Sequence, residues 1–251
     1  MVWSKDMIIT HRGINTNNTE NTIAAFKQAL KMGAGGIECD LLLTLDNKVV
    51  LHHDKRIMIA NKKVAISNIL FRDLAVFYKK QLHEPLLLDE LFVYITNNKH
   101  VEFFLEVKSS SKILVEKIIK KIEEQALWSQ VNIIGFSFFI GTAVRMQSKY
   151  PKLKVLQIIN IPLYSYVRKP RKSYGVMLGW SDGFYGSEWL FRRLISVRRL
   201  TKLREFYEKN GFKVMAGVIN RKSGFKYFKE AGIEDIVTDN VPQAGNYFKH
   251  K

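Results

Sequence analysis

Seven ionisable residues of this chain have the types and the spacing to do chemistry together. His11 and Arg12 close the run Ile8-Ile9-Thr10, and Glu38 and Asp40 sit in Ile37-Glu38-Cys39-Asp40. His53 follows Val49-Val50-Leu51-His52, while Glu106 and Lys108 end Phe103-Phe104-Leu105-Glu106-Val107-Lys108. Alternate residues of a strand share a face, so Glu38 points with Asp40 and Glu106 with Lys108. Three carboxylates brought together repel one another unless protonated or neutralised. One divalent cation is the expected remedy, and ligation by oxygen alone points to a hard ion, Mg²⁺ or Ca²⁺. Glu38, Asp40 and Glu106 are therefore the expected metal ligands. Arg12 and Lys108 are the cations expected on phosphate, the first as a fork and the second as a point charge. His11 and His53 are the expected proton-transferring pair. The chemistry these parts fit is metal-assisted hydrolysis of a phosphodiester.

Bringing the seven together requires strands buried on both faces, which read as continuous apolar runs. It also requires the charges at strand C-terminal ends, where parallel α/β folds build their sites. Strand patterns at residues 7–11, 37–42, 48–53, 103–108, 131–136, 154–159, 213–219 and 235–238 alternate with helical ones at 20–32, 87–97, 112–126 and 196–210. Residues 175–186 offer a ninth strand for eight places, and periodicity does not say which is extra. The alternation argues for a parallel α/β architecture, and 251 residues suit one barrel of roughly 250. We expect a single domain over 1–251, with residues 55–86 as a small insertion after the third strand, above the barrel mouth. On this phase His52 faces away from His53 and is structural, and Cys39 faces the helices as an inert core residue. Asp54 either orients a ring or caps the next turn. Glu20 is expected to complement a helix dipole, Asn220 and Asp239 to support the rim by hydrogen bonding, and Ser137 and Phe138 to touch substrate.

The order His-Arg-Gly, Glu-x-Asp, His-Asp, Glu-x-Lys resembles the glycerophosphodiester phosphodiesterase family, whose barrel is like that of phosphatidylinositol-phospholipase-C-like proteins. Glu20-Asn21-Thr22 with Ala25-Phe26 and Ala29 is similar to that family's first helix. The resemblance continues through Glu84–Leu91, Gly135-Phe136-Ser137-Phe138 and Ile236-Val237-Thr238-Asp239. It implies a (β/α)₈ TIM barrel and a metal-dependent enzyme that cleaves glycerophosphodiesters to glycerol 3-phosphate and an alcohol. Two positions depart from the pattern. Thr19, a residue type able to cap a helix, replaces the Pro before Glu-Asn-Thr. Gly217 stands where a Trp is typical. A lysophospholipase D acting on membrane lysolipids is the alternative within this chemistry. A degenerate barrel that binds nucleic acid or anionic membrane is the alternative outside it.

Other classes find no support. The chain lacks the Gly-x-Ser-x-Gly elbow of serine hydrolases, and Gly33–Gly36 lacks the Lys and Ser/Thr of a phosphate-binding loop. One cysteine permits no intrachain disulfide, and no run reaches the 18 or so apolar residues of a membrane span. A cytoplasmic protein, free or peripheral to membrane, is expected. The net charge of +17 and pI near 9.8 attract polyanions. Val167-Arg168-Lys169-Pro170-Arg171-Lys172, Arg192-Arg193 and Arg198-Arg199 interleave with Trp180, Phe184, Tyr185, Trp189 and Phe191. Basic residues among large aromatics suit a membrane interface or a nucleic-acid surface. The expected partners are a small glycerophosphodiester and an anionic membrane surface, rather than nucleic acid.

Overall fold

The computed structural model describes residues 7–14, 19–79, 83–160, 174–180 and 186–248. Its strands are β1 (Ile8–His11), β2 (Gly36–Leu43), β3 (Val49–Leu51), β4 (Arg56–Ile59), β5 (Lys62–Ala65) and β6 (Glu102–Val107). They continue as β7 (Val131–Phe136), β8 (Lys154–Ile159), β9 (Gly175–Leu178), β10 (Lys213–Ala216) and β11 (Ile236–Thr238). Helices run α1 (Ile23–Lys31), α2 (Phe71–Lys79), α3 (Leu88–Thr96), α4 (Lys112–Glu124) and α5 (Gly141–Met146). The last four are α6 (Ser187–Leu194), α7 (Val197–Lys209), α8 (Lys222–Glu230) and α9 (Val241–Phe248).

Eight strands pair in parallel in the order β1-β11-β10-β9-β8-β7-β6-β2, and β1 pairs again with β2, so the ring closes. This is the (β/α)₈ barrel, and its ninth candidate strand can now be assigned. Residues 175–178 belong to the ring, whereas β3 does not: it runs antiparallel to the end of β2, with Leu41 opposite Leu51. Our expectation that the strand before His53 lines the barrel is corrected accordingly. The reason is chain length. A parallel neighbour needs a crossover of a dozen or more residues, and only residues 44–48 separate β2 from β3. They form a tight turn in which Thr44 Oγ1 accepts from Lys48 N at 2.9 Å.

Inside the ring, Ile9, Phe104, Ile134, Leu156, Met177, Met215 and Val237 fill the middle of the barrel. The outward residues of the same strands, Ile37, Cys39, Leu41, Phe103, Leu105 and Ile133, pack against Leu91, Ile118 and Ile122 of the helices. Cys39 thus faces the helices, as expected. Ser111 and Ser196 cap α4 and α7 by accepting from Leu114 N and Arg199 N. At α1 the cap is Thr22, which accepts from Ala25 N at 3.2 Å, and not Thr19, whose carbonyl takes the Thr22 hydroxyl proton at 2.7 Å. The β4–β5 hairpin and α2 form a satellite core in which Ile57, Ile66, Leu74 and Tyr78 pack on Leu42 and Val50. That cluster sits on the overhanging end of β2. Among the described residues no helix is long and apolar enough to cross a membrane.

Candidate active site

Strand register sets the geometry. His11 lies opposite Glu38 across the β1–β2 pair, and Asp40 lies opposite Glu106 across β2–β6. One oxygen from each of Glu38, Asp40 and Glu106 falls within 4.8 Å of the others, and all three side chains are buried. The chain leaves β1 through Arg12, at φ 58°, and Gly13, at φ 84°. A Cβ on Gly13 would stand 2.7 Å from Ala25 Cβ and 2.8 Å from the Ala25 backbone carbon, so only glycine lets this turn close against α1. The turn returns Asn21 to the site: its N–H bonds Arg12 O at 2.9 Å. Its side chain donates to Asp40 Oδ2 and accepts from Asp40 N, both at 3.1 Å.

Asp40 is the hub. Arg12 Nε lies 2.9 Å from its Oδ2 and Lys108 Nζ 3.1 Å from its Oδ1, and Lys108 also reaches Glu106 Oε2 at 3.4 Å. Burial opposes its ionisation, but Lys108 and Arg12 outweigh burial and hold its carboxyl below the usual carboxylate range. Its neighbours go the other way. Burial, then the charges of Asp40 and Glu106, drive Glu38 well up, and burial with Asp40 pushes Glu106 up to about 7. Both oxygens of Glu38 and Oε1 of Glu106 are buried without a hydrogen-bond donor. Buried carboxylate oxygens left unpaired are costly, and a hard cation coordinated by oxygen satisfies them. The donor set therefore fits a divalent ion.

Each histidine carries a carboxylate on one ring nitrogen. His11 Nδ1 is 2.7 Å from Asp239 Oδ1, while its Nε2 lies 3.9 Å from Glu38. Asp239 is itself fixed by Asn220, whose Nδ2 donates to Oδ2 at 2.6 Å and whose Oδ1 accepts from Asp239 N at 2.8 Å. His53 Nδ1 is 2.9 Å from Asp54 Oδ1. A carboxylate on Nδ1 requires the proton there, which leaves Nε2 of both rings as the reactive atom. Burial lowers His53 below its ordinary value against the pull of Asp40, so the ring is neutral and able to accept a proton at neutral pH. His52 faces elsewhere, as expected, with Nδ1 hydrogen-bonded to the Tyr78 hydroxyl of α2.

The seven expected site residues thus converge, and three readings change. Asp54 orients a ring. Glu20 lies ahead of α1 and pairs with Arg12, its Oε2 at 3.3 Å, instead of complementing the helix dipole. Asp239 holds His11 as well as bracing the rim.

The sequence pattern of the glycerophosphoryl diester phosphodiesterase family matches residues 11–243. The chain belongs to that family. It is an enzyme of the phosphodiester-hydrolysing class. A glycerophosphodiester phosphodiesterase of Caldanaerobacter subterraneus subsp. tengcongensis is 27% identical over 94% of this chain and 95% of its own. A human lysophospholipase D is 27% identical over 92% and 82%. Among solved structures, an Oleispira antarctica phosphodiesterase in complex with the product sn-glycerol-3-phosphate superposes with a TM-score of 0.74, at 16% identity, over 98% and 97% of the two chains. At that identity the likeness concerns the fold.

The position where the family typically carries a Trp is closed in this chain. A Cβ on Gly217 would meet Val237 Cβ at 2.8 Å and Met177 Sδ at 2.9 Å. No side chain fits there without moving the barrel interior. Asn21 is the site residue whose role sequence reasoning missed. Its signal was present in Glu20-Asn21-Thr22, but a residue nineteen positions from Asp40 gives no hint of the contact until the turn at Gly13 is known. Phe138, expected near substrate, stands exposed beyond β7 and stacks on Phe136 at 5.6 Å. Arg168, Lys169, Arg171, Lys172, Phe184 and Tyr185 lie outside the described residues.

Proposed function

We propose that this enzyme hydrolyses glycerophosphodiesters to glycerol 3-phosphate and an alcohol, using one divalent cation, Mg²⁺ or Ca²⁺. The observation that carries the reading is a buried triad of carboxylates flanked by two histidines, each with a carboxylate on Nδ1 and its Nε2 left to react. Glu38, Asp40 and Glu106 hold the cation, which when bound supplies positive charge for a phosphoryl oxygen and lowers the pKa of a nearby hydroxyl. Nε2 of one histidine removes the proton from the attacking oxygen, that of water or of the neighbouring glycerol hydroxyl; the second gives a cyclic phosphate, which water then opens to glycerol 3-phosphate. As the new P–O bond forms and the bond to the alcohol breaks, Nε2 of the other gives its proton to the departing alkoxide. Arg12 and Lys108 stabilise the charge that grows on the phosphoryl oxygens. Both are already braced on Asp40, so little reorganisation is needed at the moment of reaction.

A lysophospholipase D activity on membrane lysolipids is the second reading. It is supported by Gly217, which leaves out an aromatic wall, and by the likeness to the human lysophospholipase D. A panel of glycerophosphocholine, glycerophosphoethanolamine, lysophosphatidylcholine and a phosphomonoester, each assayed with and without chelator, separates the readings. Glycerol 3-phosphate release from the first two, abolished by chelation, is expected. Turnover confined to the lysolipid moves the assignment to the second reading. Chelator-resistant turnover, or hydrolysis of the monoester alone, overturns both.

A further inference from the structure

The +17 charge finds no use in the chemistry above. We infer that α6 and the N-terminal turns of α7 form a docking face for an anionic lipid bilayer, at the catalytic end of the barrel. Sequence reasoning spread this role over residues 167–199; the structure divides that segment. Trp180 and Phe191 are buried, with ring centroids 5.6 Å apart, and belong to the core. Trp189 and Leu190, on the same helix as Phe191, are 68% and 48% exposed. Phe191 already anchors α6 inward, so neither outward residue has a core to reach.

A chain of contacts fixes where this pair stands. Glu188, next to Trp189, accepts from Ser223 Oγ at 3.2 Å, and its Oε2 lies 3.9 Å from Arg221. Arg221 is next to Asn220, and Ser223 two residues further on; Asn220 holds Asp239 and, through it, His11. The start of α6 therefore lies on the rim of the catalytic end. Helix α7 is 13 residues long, about 20 Å, and leads into β10, whose first residue is at the opposite end of the barrel. Its N-terminal turn must then be at the catalytic end too.

Charge selects the occupant. Residues 186–203 contain five cations, Arg192, Arg193, Arg198, Arg199 and Lys202, against the single carboxylate of Glu188. All five cations are exposed, whereas Glu188 is half-buried and ion-paired with Arg192 at 3.0 Å. An exposed Trp beside an exposed Leu, on a helix followed by exposed arginines, matches a bilayer interface. There the indole sits at headgroup level and cations meet anionic lipid. A nucleic-acid strand would instead call for a charged groove with stacking rings, and Leu190 has no face to stack. The docked orientation turns the carboxylate triad toward the membrane, which suits a phosphodiester carried by an amphiphile.

The test is co-sedimentation of the full chain with vesicles of phosphatidylglycerol and phosphatidylcholine, beside vesicles of phosphatidylcholine alone. Binding to the anionic vesicles is expected to be clearly stronger and to weaken with salt. Arg193→Ser with Arg198→Ser should lower it by about 25-fold, roughly fivefold for each charge. Trp189→Ser with Leu190→Ser should lower it about tenfold or more, and the blue shift of tryptophan emission on vesicle addition should vanish in Trp189→Phe. Equal binding to both vesicle types, or no effect of either double substitution, overturns the proposal. So does loss of binding in the arginine variant alone with equal affinity for single-stranded RNA, which would assign the face to nucleic acid. Turnover of soluble glycerophosphocholine, measured in parallel, should be unchanged in all variants. Its absence in the parent protein would count against the hydrolase reading and leave the vesicle result intact.

Discussion

His11 ends a strand locked into the ring on both sides, between β2 and β11, whereas His53 lies beyond a three-residue strand held outside the ring, by the overhang of β2 and a single bridge to Leu87. Both rings use the same device, a carboxylate on Nδ1, but on different foundations. Asp239 follows a ring strand and is clamped by Asn220; Asp54 is 71% exposed and next in sequence to the histidine it orients. Behind His53, His52 is tied to Tyr78 of α2, outside the ring. One side of the site is therefore part of the barrel. The other is carried by an excursion that packs on the barrel through a separate small core. The difference teaches that geometry on the His11 side is set by the fold, and on the His53 side by how well the excursion is docked.

The largest effect should ignore this asymmetry. Glu38→Ala, Asp40→Ala and Glu106→Ala should each abolish metal binding and reduce turnover to background, measured by calorimetric titration with Mg²⁺ or Ca²⁺ and by activity. Full turnover by any of them, with metal content confirmed as nil, would sink the metal assignment. Next, His11→Ala and His53→Ala should each lower kcat by about 10²–10⁴ while leaving metal affinity and folding intact. A variant that stays active removes its histidine from the chemistry.

The comparison is sharpened by the supporting carboxylates. Asp239→Asn should cost about 10–100-fold in kcat, because the amide no longer dictates which nitrogen of His11 holds the proton. Asp54→Asn should cost less, since Asp54 is the more exposed of the two, 71% against 52%, and lacks the Asn220 clamp of Asp239. If Asp54→Asn is the more damaging, the two sides are not as different as their burial indicates.

A pH series tests the triad. Glu106, pushed up to about 7 by burial and Asp40, binds a proton in the folded metal-free protein that the unfolded chain has released. Its folded value exceeds its unfolded one near 4.5, so metal-free stability should fall as pH rises between those values, by roughly 1–3 kcal/mol. Asp40 titrates below that window. Because the cation must displace the protons that burial favours on Glu106 and Glu38, metal affinity should drop at least about tenfold for each unit below 7. A flat affinity profile from pH 5 to 8 would show Glu106 already ionised. The smallest effect should come from Tyr78→Phe. Losing its bond to His52 should cost about 1 kcal/mol of stability and change kcat only a few-fold. Effects as large as those of His53→Ala would mean that the excursion sets the position of His53 rigidly.

Much of this site could be read from residue order because strand periodicity is simple. The alternation Glu38-Cys39-Asp40 by itself sends two carboxylates inward and one thiol outward, and Glu106-Val107-Lys108 repeats the logic. What failed to show was whatever depends on chain paths between strands. The apolar run of β3 resembles a ring strand, and only the five residues before it, too few for a parallel crossover, mark it as antiparallel. The Asp239–His11 and Asn21–Asp40 contacts join residues 228 and 19 positions apart, and apolar patterning carries no information on such pairs. Short helices such as α5 and α6 have too few turns for a clear stripe.

The ion pairs of Asp40 have one more consequence. Arg12 and Lys108 set two positive charges against three carboxylates, and burial favours the neutral form of Glu38 and Glu106, which offsets the remaining negative charge. The chain can thus complete its barrel with no ion on hand. On the proposed assignment, loading is an exchange at a finished cavity, proton out for cation in, and folding need not wait for the metal.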